Sequence, residues 1–184
     1  CANARFHTRL NEKEIRDELN RLLPDDIVVT NVERISNKFH ARYSAIGKTY
    51  CYTCYYGENK PVWKRRFVNC LDKKPDLELM RRAAKVLQGE HDFKNFSINP
   101  QMKKSTVRIV DRIDIKEENG YYSFSFHGNG FLQNMVRILT GTLLEAGYGK
   151  INTEDIIMAL NSEERMKGGP TAPALGLCLE KVDY

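Results

Sequence analysis

Residues Phe124 to Gly149 read FSFHGNGFLQNMVRILTGTLLEAGYG and place one arginine in an otherwise apolar segment just after a glycine-rich turn. From Phe131 onward the apolar residues recur at helical spacing and fall on one broad face of a helical wheel. The opposite face holds Gln133, Arg137, Thr140 and Gly141. The segment therefore predicts a helix that buries one side and offers a guanidinium on the other. Because Gly141 follows Arg137 by one turn, we expect room for a carboxylate or phosphate to approach that arginine closely; the alternative is a solvated surface arginine.

The composition of the whole chain is that of a globular protein. Of its 184 residues, 41% are hydrophobic and 29% are charged, which excludes a disordered tail. No apolar run approaches the roughly 20 residues of a membrane span. The first residue is Cys1 and no basic-then-apolar leader follows it, so we expect that a segment upstream is missing. Five cysteines suit a reducing compartment, and we expect a soluble cytoplasmic protein.

The formal net charge of +5 is moderate, but the basic residues cluster locally. The clusters include Arg5 with Arg9, Lys64 to Arg66, Arg81 with Arg82 and Lys85, and Lys103, Lys104 and Arg108. Such groups make polyanions plausible partners. The alternative is that each cluster is a solvated face of a helix or loop.

Cys51 and Cys54 form the only Cys-x-x-Cys pair. They lie in a segment that reads as a strand, where positions three apart point to opposite faces, so the spacing argues against a shared zinc ion or a redox pair. A small zinc or redox protein is the alternative that this geometry opposes. We expect the cysteines to be small buried hydrophobes, and we predict no metal and no cofactor.

Caps, turns and periodicity predict the remaining elements. The predictions are a helix capped by Asn11, with Glu14 in a capping box, up to Leu23; strands over Ile27 to Arg34 and Phe39 to Tyr56; a helix from Asp76 to Gly89; a hairpin of Val107 to Lys116 with Tyr121 to His127; a helix from Thr153 to Asn161; and a strand from Leu177 to Tyr184. Helices interspersed with hairpin-connected strands predict an α+β fold, with a mainly antiparallel sheet flanked by helices. No linker divides the chain, so we expect residues 1–184 to act as one part.

Four segments together resemble the bacterial tRNA pseudouridine synthase A family. They are FHARYSAIGKTYCY at residues 39–52, GEHDFKNF at 89–96, GNGFLQNMVRILTGTLLEAGYG at 128–149 and GPTAPALGLCLEKVDY at 169–184. The resemblance implies the pseudouridine synthase fold and an isomerase that converts uridine to pseudouridine in the anticodon stem-loop of tRNA, at positions 38–40. It also implies that neither a cofactor nor a metal takes part, and that the enzyme is a homodimer.

One departure from the family is important. Its members carry the catalytic aspartate in a G-R-T-D-A-G-V-H-A motif, which this sequence lacks, and no aspartate here matches that position. The chain thus resembles the C-terminal part of such an enzyme, and we predict that it is inactive alone. The alternative is a non-catalytic RNA-binding or dimerisation module.

The resemblance assigns roles to three residues of the uridine site. Arg137 matches the arginine that pairs with the catalytic aspartate, Tyr50 matches the tyrosine that stacks on the target base, and Leu177 matches the apolar residue that closes the base pocket. From the residues alone, Tyr50 and its strand neighbour Tyr52 are equivalent, because both point to the same side of a strand. Core packing is the alternative role for both tyrosines and for Leu177.

Two segments match family regions beside the tRNA. The first comprises Phe39, His40, Ala41, Arg42 and Tyr43, which mix aromatic and basic groups suited to stacking on bases and contacting phosphates. The second comprises Lys104, Ser105, Thr106, Val107 and Arg108, whose hydroxyls and cations suit phosphates without reading sequence. A solvated β-edge and a solvated loop are the alternatives for these segments.

Overall fold

The computed structural model describes residues 1–99, 105–162 and 168–184. The chain divides into two compact units, residues 1–45 and residues 46–184, which are taken in turn.

The first unit contains one helix, α1 (Glu12–Leu22). Its predicted capping box is confirmed, since the Asn11 side chain accepts from the Glu14 backbone N–H and the Glu14 carboxylate accepts from that of Asn11. The predicted strand from Ile27 to Arg34 is wrong. The Asn20 side chain both donates to the Val29 carbonyl oxygen and accepts from its N–H, so this amide satisfies backbone groups that a strand would pair with another strand.

The second predicted strand begins later than expected. Residues 41–43 form a turn in which the Ser44 N–H donates to the His40 carbonyl oxygen at 2.8 Å. Extended structure starts only at Gly47, so the expectation of a strand from Phe39 is wrong over its first eight residues. The turn is closed locally by hydrogen bonds, which removes the need for a partner strand.

The second unit is built on a six-stranded sheet. Its strands are β1 (Gly47–Tyr55), β2 (Asn69–Cys70), β3 (Gly89–Asp92), β4 (Val107–Glu118), β5 (Tyr121–Gly128) and β6 (Leu177–Asp183). The strand order is β2-β1-β5-β4-β3, with β6 also pairing with β1, and every pairing is antiparallel except that of β1 with β2. The predicted β4–β5 hairpin and closing strand are confirmed, as is the α+β class.

Helices cover one face of this sheet. They are α2 (Leu77–Leu87), α3 (Met135–Gly147) and α4 (Thr153–Asn161). Along β5, buried Tyr122, Phe124 and Phe126 alternate with partly exposed residues, as expected for a strand with one face against a core. The Asp76 carboxylate caps α2 by accepting from the N–H groups of Glu78 and Leu79, which confirms the predicted start of that helix.

Helix α3 differs from its prediction in start and surroundings. It begins at Met135 and not at Phe131, because Asn134 adopts a left-handed backbone with φ of 59° and ends the preceding turn. The predicted polar face does not exist, since Thr140 and Gly141 are buried. Within α3 only Arg137 and Glu145 escape full burial, so the helix is central to the core.

The chain at residues 168–173 packs against α3 at very short range. A Cβ on Gly141 would overlap the carbonyl oxygen of Pro170, and a Cβ on Gly169 would come within 2.5 Å of the Thr142 backbone. The Gly169 N–H donates to the Thr142 hydroxyl at 2.8 Å. The space beside Gly141 is therefore filled by this segment, and the expectation that Gly141 leaves room at the base of Arg137 is wrong. The free donors at the end of the Arg137 side chain are not affected by this packing.

The cysteines are less buried than predicted. Only Cys54 lies in the core, Cys51 is partly buried, and Cys1, Cys70 and Cys178 are exposed. Cys51 contacts the Ser123 hydroxyl on the other face of β1 from Cys54, and burial raises the pKa of the Cys54 thiol to about 12. Among the residues described, no group of three or more His, Cys, Asp or Glu side chains could hold a metal ion. Nor does any described helix have the length and apolar character to cross a membrane.

Replacing Gly141 with alanine tests the contact between α3 and Pro170. Helix propensity alone favours alanine by about 1 kcal/mol, whereas the overlap with a backbone carbonyl disfavours it. We expect Gly141→Ala to lower the free energy of unfolding by about 1–3 kcal/mol, measured by urea denaturation and circular dichroism.

Gly130→Ala is the matched control, since its Cβ would meet Arg108 Nε at an ordinary 3.7 Å. We expect this variant to change stability by less than about 0.5 kcal/mol. A Gly141→Ala protein more stable than the native chain would contradict the observed packing.

Candidate active site

Arg137 lies in the first turn of α3 and is held in place by two side-chain hydrogen bonds. Its Nε donates to the carbonyl oxygen of Ala172 at 2.6 Å, and its Nη1 donates to Oδ1 of Asn134 at 3.2 Å. The Ala172 N–H in turn donates to the Arg137 carbonyl oxygen at 3.1 Å. The guanidinium therefore has a fixed orientation and is not a loosely solvated surface group.

These bonds leave part of the Arg137 fork unused. A guanidinium has five N–H donors, and the two side-chain bonds engage only Nε and one hydrogen of Nη1. Within residues 1–99, 105–162 and 168–184, no carboxylate forms an ion pair with it. The remaining Nη1 and Nη2 hydrogens have the planar geometry that receives a carboxylate in a bidentate pair.

The two tyrosines of β1 have different environments. Tyr52 is fully buried, and its hydroxyl donates to the Pro173 carbonyl oxygen at 2.6 Å. Tyr50 is half-buried, and its ring lies nearly perpendicular to that of Phe131, with the two centroids 5.3 Å apart. Among residues 1–99, 105–162 and 168–184, none forms a hydrogen bond with the Tyr50 hydroxyl. Tyr52 is thus a core residue with a satisfied polar group, whereas Tyr50 presents an aromatic face and a hydroxyl at the edge of the core.

Desolvation affects both phenols in the same direction. Burial raises the pKa of the Tyr50 hydroxyl above its usual value. Burial also raises the pKa of Tyr52, and more strongly, while the nearby Arg137 charge opposes that shift. Both hydroxyls are therefore protonated at neutral pH, so Tyr50 can donate a hydrogen bond but is a poor base.

Leu177 begins β6 directly opposite Tyr52 and packs partly buried against the core. The preceding Gly176 allows this approach, because a Cβ there would lie 2.5 Å from the Thr53 carbonyl oxygen and 2.9 Å from the Tyr52 ring. Ala172, Pro173 and Leu177 thus lie on one short segment fastened to Arg137, Tyr52 and β1. We name residues 168–177 the C-terminal strap.

Part of the second predicted RNA segment lies near Tyr50. Arg108 runs beside Gly130, next to the Phe131 that contacts Tyr50, and its Nη1 donates to the carbonyl oxygens of Ser105 and Val107. The Thr106 hydroxyl donates to Asp92 Oδ1 at 2.5 Å, so it links the residue before β4 to the end of β3. Ser105 and Val107 are exposed, and Lys104 lies outside the described residues.

The first predicted RNA segment belongs to the other unit and forms an exposed turn. His40, Arg42 and Tyr43 are exposed there, and the rings of His40 and Tyr43 lie 4.4 Å apart. The Arg42 guanidinium lies 5.9 Å from the Tyr43 ring centroid, while the Ala41 N–H is fixed by Asn3 at 2.9 Å. The segment therefore presents cationic and aromatic groups together. It does so on a turn, whereas the alternative considered from the sequence was a β-edge.

Three contributors to the site were not identified from the sequence. Phe131 was assigned to the apolar face of a helix, Asn134 was given no role, and the Ala172 carbonyl offers no side-chain signal at all. A detectable hint was the run Gly168-Gly169-Pro170, because consecutive glycines indicate a close backbone approach.

Comparisons with known proteins agree with this architecture. A family model described as tRNA pseudouridine synthase matches residues 83–184. A tRNA pseudouridine synthase A 2 of Clostridium perfringens is 41% identical over 183 residues, which cover 100% of this chain and 75% of the relative. A tRNA pseudouridine synthase A of Clostridium kluyveri is 38% identical over 96% of this chain and 72% of the relative. A tRNA pseudouridine synthase A 2 of Bacillus cereus is 40% identical over 100% and 75%, respectively.

Paired phenylalanine substitutions test the different environments of the two tyrosines. Tyr52→Phe removes a buried donor and leaves the Pro173 carbonyl unsatisfied, so we expect a loss of about 1–2 kcal/mol in the free energy of unfolding. Tyr50→Phe removes a hydroxyl that has no hydrogen-bond partner among the described residues; it is the matched control, with an expected change below about 0.5 kcal/mol. If urea denaturation showed the same loss of unfolding free energy for both variants, the different environments of the two tyrosines would be contradicted.

Proposed function

The chain belongs to the tRNA pseudouridine synthase family, and we propose that it forms the arginine and tyrosine side of a site that isomerises uridine in the anticodon arm of tRNA. The observation that carries this proposal is Arg137, an arginine fixed in the core whose free donors face no carboxylate within the described residues. Such a fork is suited to an aspartate supplied from outside these residues.

The reaction requires that the glycosidic bond from C1′ to N1 break and that a bond from C1′ to C5 form, with loss of the C5 proton. A carboxylate that assists these steps must be ionised and held in one position. A bidentate pair with Arg137 would do both, because a neighbouring cation lowers a carboxyl pKa and the fork fixes its orientation. We assign that holding role to Arg137.

Tyr50 and Leu177 form the surroundings of the base in this proposal. The half-buried Tyr50 ring offers a face for stacking, and the Phe131 ring packs against it at nearly a right angle. Since burial raises the Tyr50 pKa, its hydroxyl acts as a donor to the base and not as the group that first removes a proton. Leu177 supplies an apolar wall, which keeps water from the separated uracil.

We assign the RNA contacts to the two segments identified above. In the first unit these are Phe39, His40, Ala41, Arg42 and Tyr43; in the second they are Ser105, Thr106, Val107 and Arg108, together with Lys104 from outside the described residues. The exposed guanidinium of Arg42 suits phosphate, and the Tyr43 ring suits a base. Because Arg108 lies close to Gly130 and Phe131, we place its phosphate near the target nucleotide. The target uridine must leave its stack to reach Tyr50.

We also propose that the enzyme acts as a homodimer, which rests on the family resemblance. Light scattering coupled to size-exclusion chromatography measures this directly. A molar mass equal to that of one chain at all micromolar protein concentrations would refute the homodimer.

Activity measurements test the role of Arg137. We expect the 184-residue chain alone to form no pseudouridine in an unmodified tRNA transcript, and the same chain joined to a segment with the G-R-T-D motif to form it. In the joined protein, Arg137→Lys should lower kcat by about 100-fold or more, because an ammonium cannot form the bidentate pair.

Arg82→Lys, an exposed arginine of α2, is the matched control and should retain full activity. Activity in the chain alone would refute the assignment of the nucleophile to a residue outside it. Full activity of the joined Arg137→Lys protein would refute the holding role.

Arg42→Ala tests the RNA surface of the first unit. Loss of one phosphate contact should weaken tRNA binding several-fold and reduce the slope of log K against log salt by about 0.9. Arg34→Ala is the control, because its guanidinium pairs with Glu12 at 2.8 Å. Unchanged binding of Arg42→Ala, measured by anisotropy of labelled tRNA, would remove this turn from the interface.

A further inference from the structure

The loop between β1 and β2 exposes large apolar side chains that have no role in the uridine site proposed above. It comprises Pro61 to Phe67, PVWKRRF, and we name it the Trp63 loop. Val62, Trp63 and Phe67 are 61%, 98% and 72% exposed. Single exposed apolar residues are ordinary, but three within six residues, with an almost fully exposed tryptophan, mark a surface that binds something.

The same loop carries a dense positive charge. Lys64, Arg65 and Arg66 are all exposed, and Lys60 precedes them. None of these four residues forms an ion pair with a carboxylate of the described chain. The Lys64 ammonium lies 4.8 Å from the Tyr121 ring centroid, a cation–π contact that leaves its charge uncompensated.

The backbone of the loop is ordered by its own hydrogen bonds. The Lys64 N–H donates to the Pro61 carbonyl oxygen at 3.0 Å, and the Phe67 N–H donates to that of Lys64 at 2.8 Å. Buried Val68 and the pairing of β2 with β1 fasten its C-terminal end. The exposed rings and cations are therefore presented on a fixed turn, which reduces the entropy lost when a partner binds.

We propose that the Trp63 loop is an additional RNA-docking surface, which binds unpaired nucleotides of the same tRNA substrate. Trp63 and Phe67 stack on bases, and Lys64, Arg65 and Arg66 contact the adjoining phosphates. This inference rests on the proposed function. Single-stranded RNA combines flat π faces with a regular negative charge, which is the complement of interleaved aromatic and cationic side chains. A symmetric contact between two copies of the loop would bring like charges together.

The position of the loop separates this contact from the uridine site. β1 and β5 are antiparallel, with Lys48 opposite Gly128 and Tyr55 opposite Tyr121. Phe131 therefore follows one end of the pair, whereas the Trp63 loop follows the other. From Tyr50 to Tyr55 the strand spans about 16 Å. A tRNA that places its target uridine beside Tyr50 would meet the loop with a different part of its chain.

Trp63 is the only tryptophan, so its fluorescence reports on this loop alone. We expect titration of the 184-residue chain with an unmodified tRNA transcript to quench the emission saturably and to shield Trp63 from acrylamide. Heparin supplies negative charge without bases and should not produce the stacking quench. Binding itself is followed in parallel by the anisotropy of end-labelled tRNA, which does not depend on the tryptophan.

Substitutions separate stacking from charge. Trp63→Ala should weaken tRNA binding by about ten-fold, as expected for the loss of one stacked base. Arg65→Gln with Arg66→Gln should reduce the slope of log K against log salt by about 2. Phe6→Ala, which removes another exposed aromatic ring, and Arg82→Gln, an exposed arginine of α2, are the matched controls and should bind like the native chain.

The outcomes distinguish this inference from the function on which it rests. If the native chain binds tRNA but Trp63 emission is unchanged and Trp63→Ala binds equally well, the docking surface is refuted and the proposed function stands. If emission changes with protein concentration alone and Trp63→Ala abolishes a dimer, the loop is an interface between copies and the inference is wrong. Absence of tRNA binding by the native chain would overturn both proposals.

Discussion

The contact between α3 and the C-terminal strap is the constraint on which the site depends. Because Gly141 has no side chain, the Pro170 carbonyl can lie directly against the helix, and Gly169 brings its N–H to the Thr142 hydroxyl. This approach places Ala172 where its carbonyl oxygen accepts from Arg137 and its N–H donates back to the helix. One residue further, Pro173 accepts from Tyr52. A single close packing thus positions the arginine and fixes the strap over β1.

The arginine is stabilised, but its charge is not neutralised. Hydrogen bonds to a carbonyl and an amide satisfy part of the guanidinium, while no described carboxylate balances its charge. Holding a partly buried cation in this way is costly unless the remaining donors meet water or an anion. The hydrogen bonds at Nε and Nη1 therefore hold the guanidinium in one orientation, and its remaining donors have no carboxylate partner among the described residues.

The two tyrosines show how neighbouring positions of one strand acquire different roles. Their side chains point to the same face of β1, yet the strap covers Tyr52 and accepts a hydrogen bond from its hydroxyl. Tyr50 lies against Phe131, and no residue in the described part of the chain bonds its hydroxyl. At the far end of the same strand, the Trp63 loop carries exposed rings and cations on an ordered turn. β1 therefore joins two aromatic surfaces of different character, one at the edge of the core and the other fully exposed.

Local signals in the sequence were sufficient for elements that are stabilised locally. The capping box of Asn11 with Glu14, the start of α2 after Asp76 and the hairpin of β4 with β5 are each defined by neighbouring residues, and these were predicted correctly. The resemblance to the family also suggested roles for Arg137, Tyr50 and Leu177, and these roles stay predictions. The predicted strand at Ile27 to Arg34 failed because strand propensity has effect only where another strand pairs with it, and here Asn20 supplies the hydrogen bonds instead.

Other features were decided by residues distant in sequence. The burial of both faces of α3, the filling of the space beside Gly141 and the difference between Tyr50 and Tyr52 all arise from a strap some 30 residues or more along the chain from α3's first turn. Hydrophobic periodicity describes only the residues of the helix itself. It therefore cannot predict that a backbone carbonyl from a distant segment packs against that helix. The sequence by itself thus determined which residues are chemically equipped for the site, and the tertiary structure decided which of them are held, covered or left accessible, because close packing depends on shape and not on residue type.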